Sequence, residues 1–173
     1  MIYGLKIEEE RQILVGNSAN GELGGLCNAA AAYTRGATNQ SLIDCLANAK
    51  VQLELNEYTP DGVNLNPIDF LAIETSKDSQ NRYLFGDPRS ATPPSIWGMN
   101  VVMSNSMTAG KFLMGMFSQA AMLWDREEAA CEFSSSHSDF FQRNLIAVRC
   151  EERVALTVLR SAALCYGNTA VQT

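Results

Sequence analysis

The chain has 173 residues, 46% of them hydrophobic and 18% charged, a balance that places it among folded globular proteins and excludes an extended disordered tract. The length fits one ordinary domain, or two small lobes sharing a core. A net charge of −6 and a pI near 4.8 exclude bulk attraction to nucleic acid or anionic membrane. The most apolar stretch, residues 112–124, contains Gly115, Ser118 and Gln119 and falls short of the roughly 20 residues a membrane span requires.

In chain order, IEEERQILVG (7–16) predicts the closing turns of a helix that stops at Gly16, and the following GNSANGELGGLCN predicts a loop. Ser41 or Asn39 is placed to cap a helix over about 41–54 carrying Leu42, Ile43, Leu46, Ala47 and Val51 on one side. Residues 63–65 predict a short strand. Asn66 with Pro67 behind it and Asp69 in the first turn predicts the start of a second helix, which carries Ile68, Leu71, Ala72 and Thr75 and ends by Ser79. Beyond it the runs RYLFGDP, SIWGMNVVMS, KFLMGMF, AMLWDREE and ACEFSSS read as strands separated by turn residues. Hairpin turns are expected at Ser118 and Gln119 and again over 125–128.

The segment DFFQRNLIAVRCEERVALTVLR (139–160) alternates. Ile146, Val148, Cys150, Val154, Leu156 and Val158 share one parity, while Ala147, Arg149, Glu151, Arg153 and Thr157 share the other, the mark of a strand with one buried face. A helical reading would mix Arg149 and Arg153 with Ile146 and Leu156 on one stripe. Yet a strand over about 145–159 would run roughly 50 Å, far beyond the usual five or six residues. The sum is an α+β fold: an antiparallel sheet flanked by helices, with the first helix and the long late strand projecting.

Candidate chemistry is sparse. Cys27, Cys45, Cys131, Cys150 and Cys165 are odd in number, lack ligand spacing and follow no leader, which predicts five reduced, mostly buried thiols in an intracellular protein. The clustered glycines of GNSANGELGG invite an anion-binding reading, but the Lys and Ser/Thr of a nucleotide loop are missing, so a structural loop is expected. A Cys/His pair would need His137, the only histidine, which lies in the polar loop SSSHSD with no positioned acid evident beside it. One histidine and scattered thiols make no metal ligand set, and nothing calls for a cofactor. Trp97, Trp124 and the methionines sit inside strand patterns as packing residues. Asn144 and Glu151 form a pairing with chemical content: a lysine amine can attack an Asn amide to give an isopeptide bond while a carboxylate shuttles protons. Seven residues apart, they face opposite sides of a regular strand at roughly 23 Å, so they can cooperate between subunits but not within one chain unless a bulge intervenes. The alternative is a strand-start Asn and a Glu paired with Arg149 or Arg153.

RYLFGDP (82–88), SIWGMNVVMSNSMTAGKFLMGMF (95–117), LWDREEAACEF (123–133) and DFFQRNLIAVRCEERVALTVLRSAALCYG (139–167), in this order, resemble the major capsid proteins of tailed bacteriophages with the Hong Kong 97 type fold. The likeness extends back through VNLNPIDFLAIETSKD and GELGGL. It implies an axial lobe at the capsomer centre over 28–127 and 157–173. It also implies a partial peripheral lobe over 1–27 and 128–156, with 7–16 as the remnant of a spine helix and 144–158 as the return strand of a β ribbon. On this reading the strand is long because it leaves the compact lobe to meet neighbouring subunits. The resemblance implies a phage or prophage shell protein acting by self-assembly without catalysis or cofactor. Its partners would be copies of itself in capsomer rings and other shell components, with no sequence-specific nucleic acid and no membrane. Its location would be the virion capsid, and the host cytoplasm before assembly.

In some relatives an Asn at the position of Asn144 is crosslinked to a lysine of an adjacent subunit, with a Glu at the position of Glu151 assisting. Family members usually have Pro where Asn100 stands, Asp where Met116 stands, and a Pro and Phe near Ser161 and Leu164. The amino-terminal arm, the loop bearing a crosslinking lysine and most of the spine helix have no counterpart here. The sequence therefore resembles a carboxy-terminal portion, either a fragment made for expression or the product of a truncated prophage gene, and neither crosslinking nor oligomerisation is expected of this chain alone. The loop over 86–95 is expected to serve contacts around a five- or sixfold axis. Two rival readings are a bacterial nanocompartment shell of the same fold and a hydrolase or transferase using a cysteine with His137.

Overall fold

The computed structural model describes residues 1–35, 41–84, 94–136 and 139–169. Its centre is β5 (Lys111–Gly115), KFLMG, whose last four residues are all buried. An apolar run without alternation requires cover on both faces. β5 pairs antiparallel with β8 (Leu164–Asn168) on one side and with β2 (Gly62–Leu65) on the other. β2 pairs parallel with β4 (Met99–Met103), β4 antiparallel with the edge strand β3 (Ser95–Ile96), and β1 (Ala31–Ala32) runs parallel to β8 at the far edge. The six-stranded sheet is thus mixed, where the sequence led us to expect an antiparallel one. The parallel β2/β4 pair arises because the chain between them contains a helix and returns by a crossover, a connection that a run of short strands does not reveal.

Helices cover one face. α3 (Leu42–Leu55) and α4 (Pro67–Glu74) pack Leu46, Ala49, Leu53, Phe70 and Ile73 onto Val63, Leu65, Phe112 and Met114. Ser41 caps α3 by accepting from the Asp44 amide, and Asn66 caps α4 by accepting from the Ile68 amide. Ser41→Ala is expected to lower stability by about 1 kcal/mol, read as a shift of the urea midpoint without a change in slope.

The helix positions are as expected, but the buried stripes differ. α4 buries Phe70 and Ile73 and leaves Ile68 and Leu71 68% and 56% exposed. α3 buries Cys45, Leu46, Ala49 and Leu53 and leaves Val51 exposed. α4 is apolar over most of its circumference, so periodicity offers two stripes, and the sheet takes the one bearing the aromatic ring.

The opposite face of β5, marked by Leu113, packs with Met107, Ala163 and Leu164 against Leu14 of α1 (Ile2–Val15), Leu26 and Cys27 of α2 (Leu26–Ala29), and Ala120 of α5 (Phe117–Ala120). α1 ends before Gly16 as expected, though for another reason than a left-handed cap. Its φ is −54°, and a Cβ there would sit 2.3 Å from the Leu23 carbonyl oxygen. The loop that follows folds tightly on itself. The amides of Ser18, Ala19, Glu22 and Gly25 donate to Leu23 O, Asn17 Oδ1, Ala19 O and Gly16 O, so these donors are consumed internally, as a structural loop requires.

β6 (Ala121–Ser134) and β7 (Ala147–Val158) form a separate two-stranded antiparallel ribbon. Two expected turns are corrected here. Ser118 and Gln119 lie in α5, which carries the chain out of the sheet, and residues 125–128 lie within one continuous strand. Polar residues break the alternation at 125–128, but the strand absorbs them as bulges: register shifts occur between the pairs at Asp125 and Glu127 and again between those at Glu127 and Ala130. SIWGMNVVMS contains the β3/β4 hairpin rather than one strand, turning at Trp97 and Gly98 with φ of 53° and 79°, as two-residue hairpin loops require. Of RYLFGDP, Tyr83 bridges to Lys77, and the residues from 85 onward lie outside the described residues.

Candidate assembly surface

β5 and β8 are neighbours in the sheet, yet the chain between them leaves through α5, runs out along β6, returns along β7 and re-enters through the 3-10 turn Ser161–Ala163. Twelve residues of β7 span about 40 Å at about 3.3 Å each. The alternation noted in the sequence is realised over 152–158, where Glu152, Val154, Leu156 and Val158 are half-buried and Arg153, Ala155 and Thr157 exposed. Nearer the turn it fails, with Ile146 exposed and Ala147, Val148, Cys150 and Glu151 all half-buried around an exposed Arg149.

The half-buried side faces α1. Leu156 and Val158 pack into the cluster holding Leu14, and Lys6 Nζ donates to Glu152 Oε1 at 2.5 Å and to Glu9 Oε2 at 3.0 Å. The Glu152 side chain is only 5% exposed, and the carboxylates of Glu152 and Glu9 together hold the Lys6 ammonium well above the usual lysine range. Glu152 breaks the apolar parity of β7, and sequence reading passed over it. The clue was a lone carboxylate on the buried side, which demands a cation nearby.

The other side of the ribbon is open. Met122 and Trp124, opposite Thr157 and Ala155, are 44% and 57% exposed. Further out, Arg153 pairs with Glu127 at 3.2 Å, and Arg149 with Glu132 at 2.6 Å and Glu151 at 3.4 Å. Glu151 therefore has the arginine partner that the alternative reading gave it. Asn144 closes the turn before β7, exposed, with a φ of 52°. It lies in a different element from Glu151, and no contact joins the two. Phe133 at the far end opposes Val148, on the same side as α1 but beyond its cover. It is 71% exposed, beside a shallow depression lined also by Glu132, Ser134, Ser136, Ala147 and Arg149.

The expectation of five reduced thiols is overturned at Cys131 and Cys150, which are joined in a disulfide. The bulges bring the two into direct opposition, with Cα atoms 4.1 Å apart, whereas their separation of 19 residues says nothing of it. Cys27, Cys45 and Cys165 stand outside the disulfide and are buried. Burial pushes the Cys27 and Cys165 thiols up to about 11, and that of Cys45 upward, so none of the three offers a thiolate near neutral pH. His137, the required base of the hydrolase reading, lies outside the described residues, as do residues 86–93 of the loop assigned to symmetry-axis contacts. Among the described residues no group of three or more His, Cys, Asp or Glu could hold a metal ion. No helix among them is long and apolar enough to cross a membrane.

The chain thus combines a mixed sheet with helices on both faces, a helix leading into it and a long ribbon projecting from two adjacent strands; residues 1–169 match the phage capsid family, to which the chain belongs. Over 170 residues it is 37% identical to the major capsid protein of Enterobacteria phage HK97, covering 97% of this chain and 44% of that protein. The capsid of a native GTA particle superimposes with a TM-score of 0.75 at 16% identity, covering 96% of this chain and 62% of that one. A Gordonia phage Cozz chain does so with 0.76 at 14%, covering 97% and 60%. The chain thus spans about half the length of the relatives it matches. Family and sequence relative are both phage proteins, which favours the phage reading over the nanocompartment one.

Proposed function

We propose that this chain serves as shell material of a phage or prophage capsid, associating with copies of itself in capsomer rings and acting without catalysis. The observation that carries this reading is the ribbon. Near the lobe its α1 side is covered by its own chain, while Met122 and Trp124 on the opposite side, and Phe133 at the far end of the α1 side, remain exposed on an element that extends beyond the lobe. Large apolar side chains held on a projecting arm are the usual anchors of an interface, and the alternating Arg and Glu pairs beside them supply register rather than affinity. In this reading 28–127 and 157–173 form the axial lobe and 1–27 and 128–156 the partial peripheral lobe. The register shifts of the ribbon on either side of Glu127 support a boundary at 127/128. The product would occupy the virion capsid, and the host cytoplasm before assembly.

Asn144 and Glu151 are proposed as intersubunit crosslink positions. Asn144 is exposed and so accessible to a lysine of another subunit, whose amine would displace ammonia from the amide, with Glu151 of a neighbouring copy accepting the proton. Size-exclusion chromatography and electron microscopy of the complete gene product test the reading: rings or closed shells are expected, and a product that stays monomeric at all concentrations would refute it.

A further inference from the structure

The ribbon's two halves are held by different forces. Near the sheet, Leu123 opposes Leu156, and Leu156 and Val158 pack into the core cluster, so a slip of one residue would expose buried side chains. Beyond the bulges that anchor is gone. Ala130, Glu132, Phe133 and Ser134 of β6 are all exposed, the ion pairs there are surface pairs that contribute little, and an isolated two-stranded ribbon is marginal in water. Each bulge adds one residue to β6 relative to β7, so the distal register is offset by two from the proximal one. The bond between Cys131 and Cys150 joins the two strands within that offset register.

We propose that Cys131 and Cys150 form a redox-operated register lock for the distal ribbon, open as two thiols in a reducing compartment and closed by exchange with a small-molecule disulfide. The thiolate of one cysteine attacks oxidised glutathione and displaces one glutathione thiolate. The second cysteine attacks the protein sulfur of the mixed disulfide and displaces the other. The two thiol protons end on the two glutathiones, and two electrons pass from the cysteine pair to glutathione. Both cysteines are half-buried on an otherwise exposed ribbon, whereas Cys27, Cys45 and Cys165 are buried in the lobe, so exchange selects this pair. The inference rests on the ribbon's own geometry and holds whether or not the chain assembles.

The test equilibrates the whole chain with oxidised or reduced glutathione, alkylates free thiols without denaturant, and maps both peptide linkage and amide hydrogen exchange by mass spectrometry. Under oxidised glutathione the peptides bearing Cys131 and Cys150 should be recovered joined. On reduction, exchange in 130–134 and 147–151 should accelerate roughly a hundredfold, the scale expected when a loop of about twenty residues loses its closing bond, while β5 and β8 stay unchanged. Cys150→Ser should exchange at the reduced rate under both conditions. Failure of the pair to form under oxidised glutathione, or equal distal exchange in the two states of the unaltered chain, would overturn the proposal.

Discussion

Phe112→Ala is expected to remove about 3–5 kcal/mol of stability, the largest loss of any single substitution considered. Phe112 is fully buried on the central strand, at the meeting of α3, α4 and four strands, with Tyr33 edge-on to its ring at 5.5 Å. Truncation leaves a cavity that β5 cannot close by moving, because it is paired on both sides. Domains of this size hold about 5–15 kcal/mol in total, so the variant should unfold at much lower urea, followed by far-ultraviolet circular dichroism. A volume-conserving change on the other face, Leu113→Met, should cost less than about 1.5 kcal/mol. Equal losses from both would mean that the sheet is not the centre of the core.

Met122→Ser with Trp124→Ser should do the reverse: leave the urea midpoint nearly unchanged while disabling assembly of the complete gene product. Both side chains are exposed in the single chain, so folding loses little. Each large apolar group covered at an interface contributes about 1.5–3 kcal/mol, and about 1.4 kcal/mol is tenfold in affinity. The protein concentration needed for particles should therefore rise at least tenfold, measured by light scattering on serial dilution. Undiminished assembly would remove these residues from the contact surface.

Much of the fold was legible wherever one local signal was unambiguous. Ser41 and Asn66 cap the helices expected from them, and the period-two run after Leu145 became β7, starting two residues later, at Ala147. The signal failed where local patterns admit two answers. Polar residues at 125–128 resemble a turn but are accommodated as bulges, because a two-stranded ribbon has the freedom to twist. The stripe of α4 was ambiguous because most of its circumference is apolar. The parallel pairing of β2 with β4, the disulfide and the Lys6–Glu152 contact depend on distant segments meeting, and no local window carries that information. Of the proposed crosslink pair, Glu151 could be read as an arginine partner from its neighbours. The positive φ of Asn144 reflects a turn that the expected strand start did not include.

In the proposed role, the arm formed by β6 and β7 touches other copies of the chain. Cryo-electron microscopy of particles formed by the complete gene product tests it most directly. Ribbon density is expected to lie across an adjacent subunit, with Met122 and Trp124 covered by it. Particles in which the ribbon contacts only its own lobe, leaving both side chains in solvent, would contradict it.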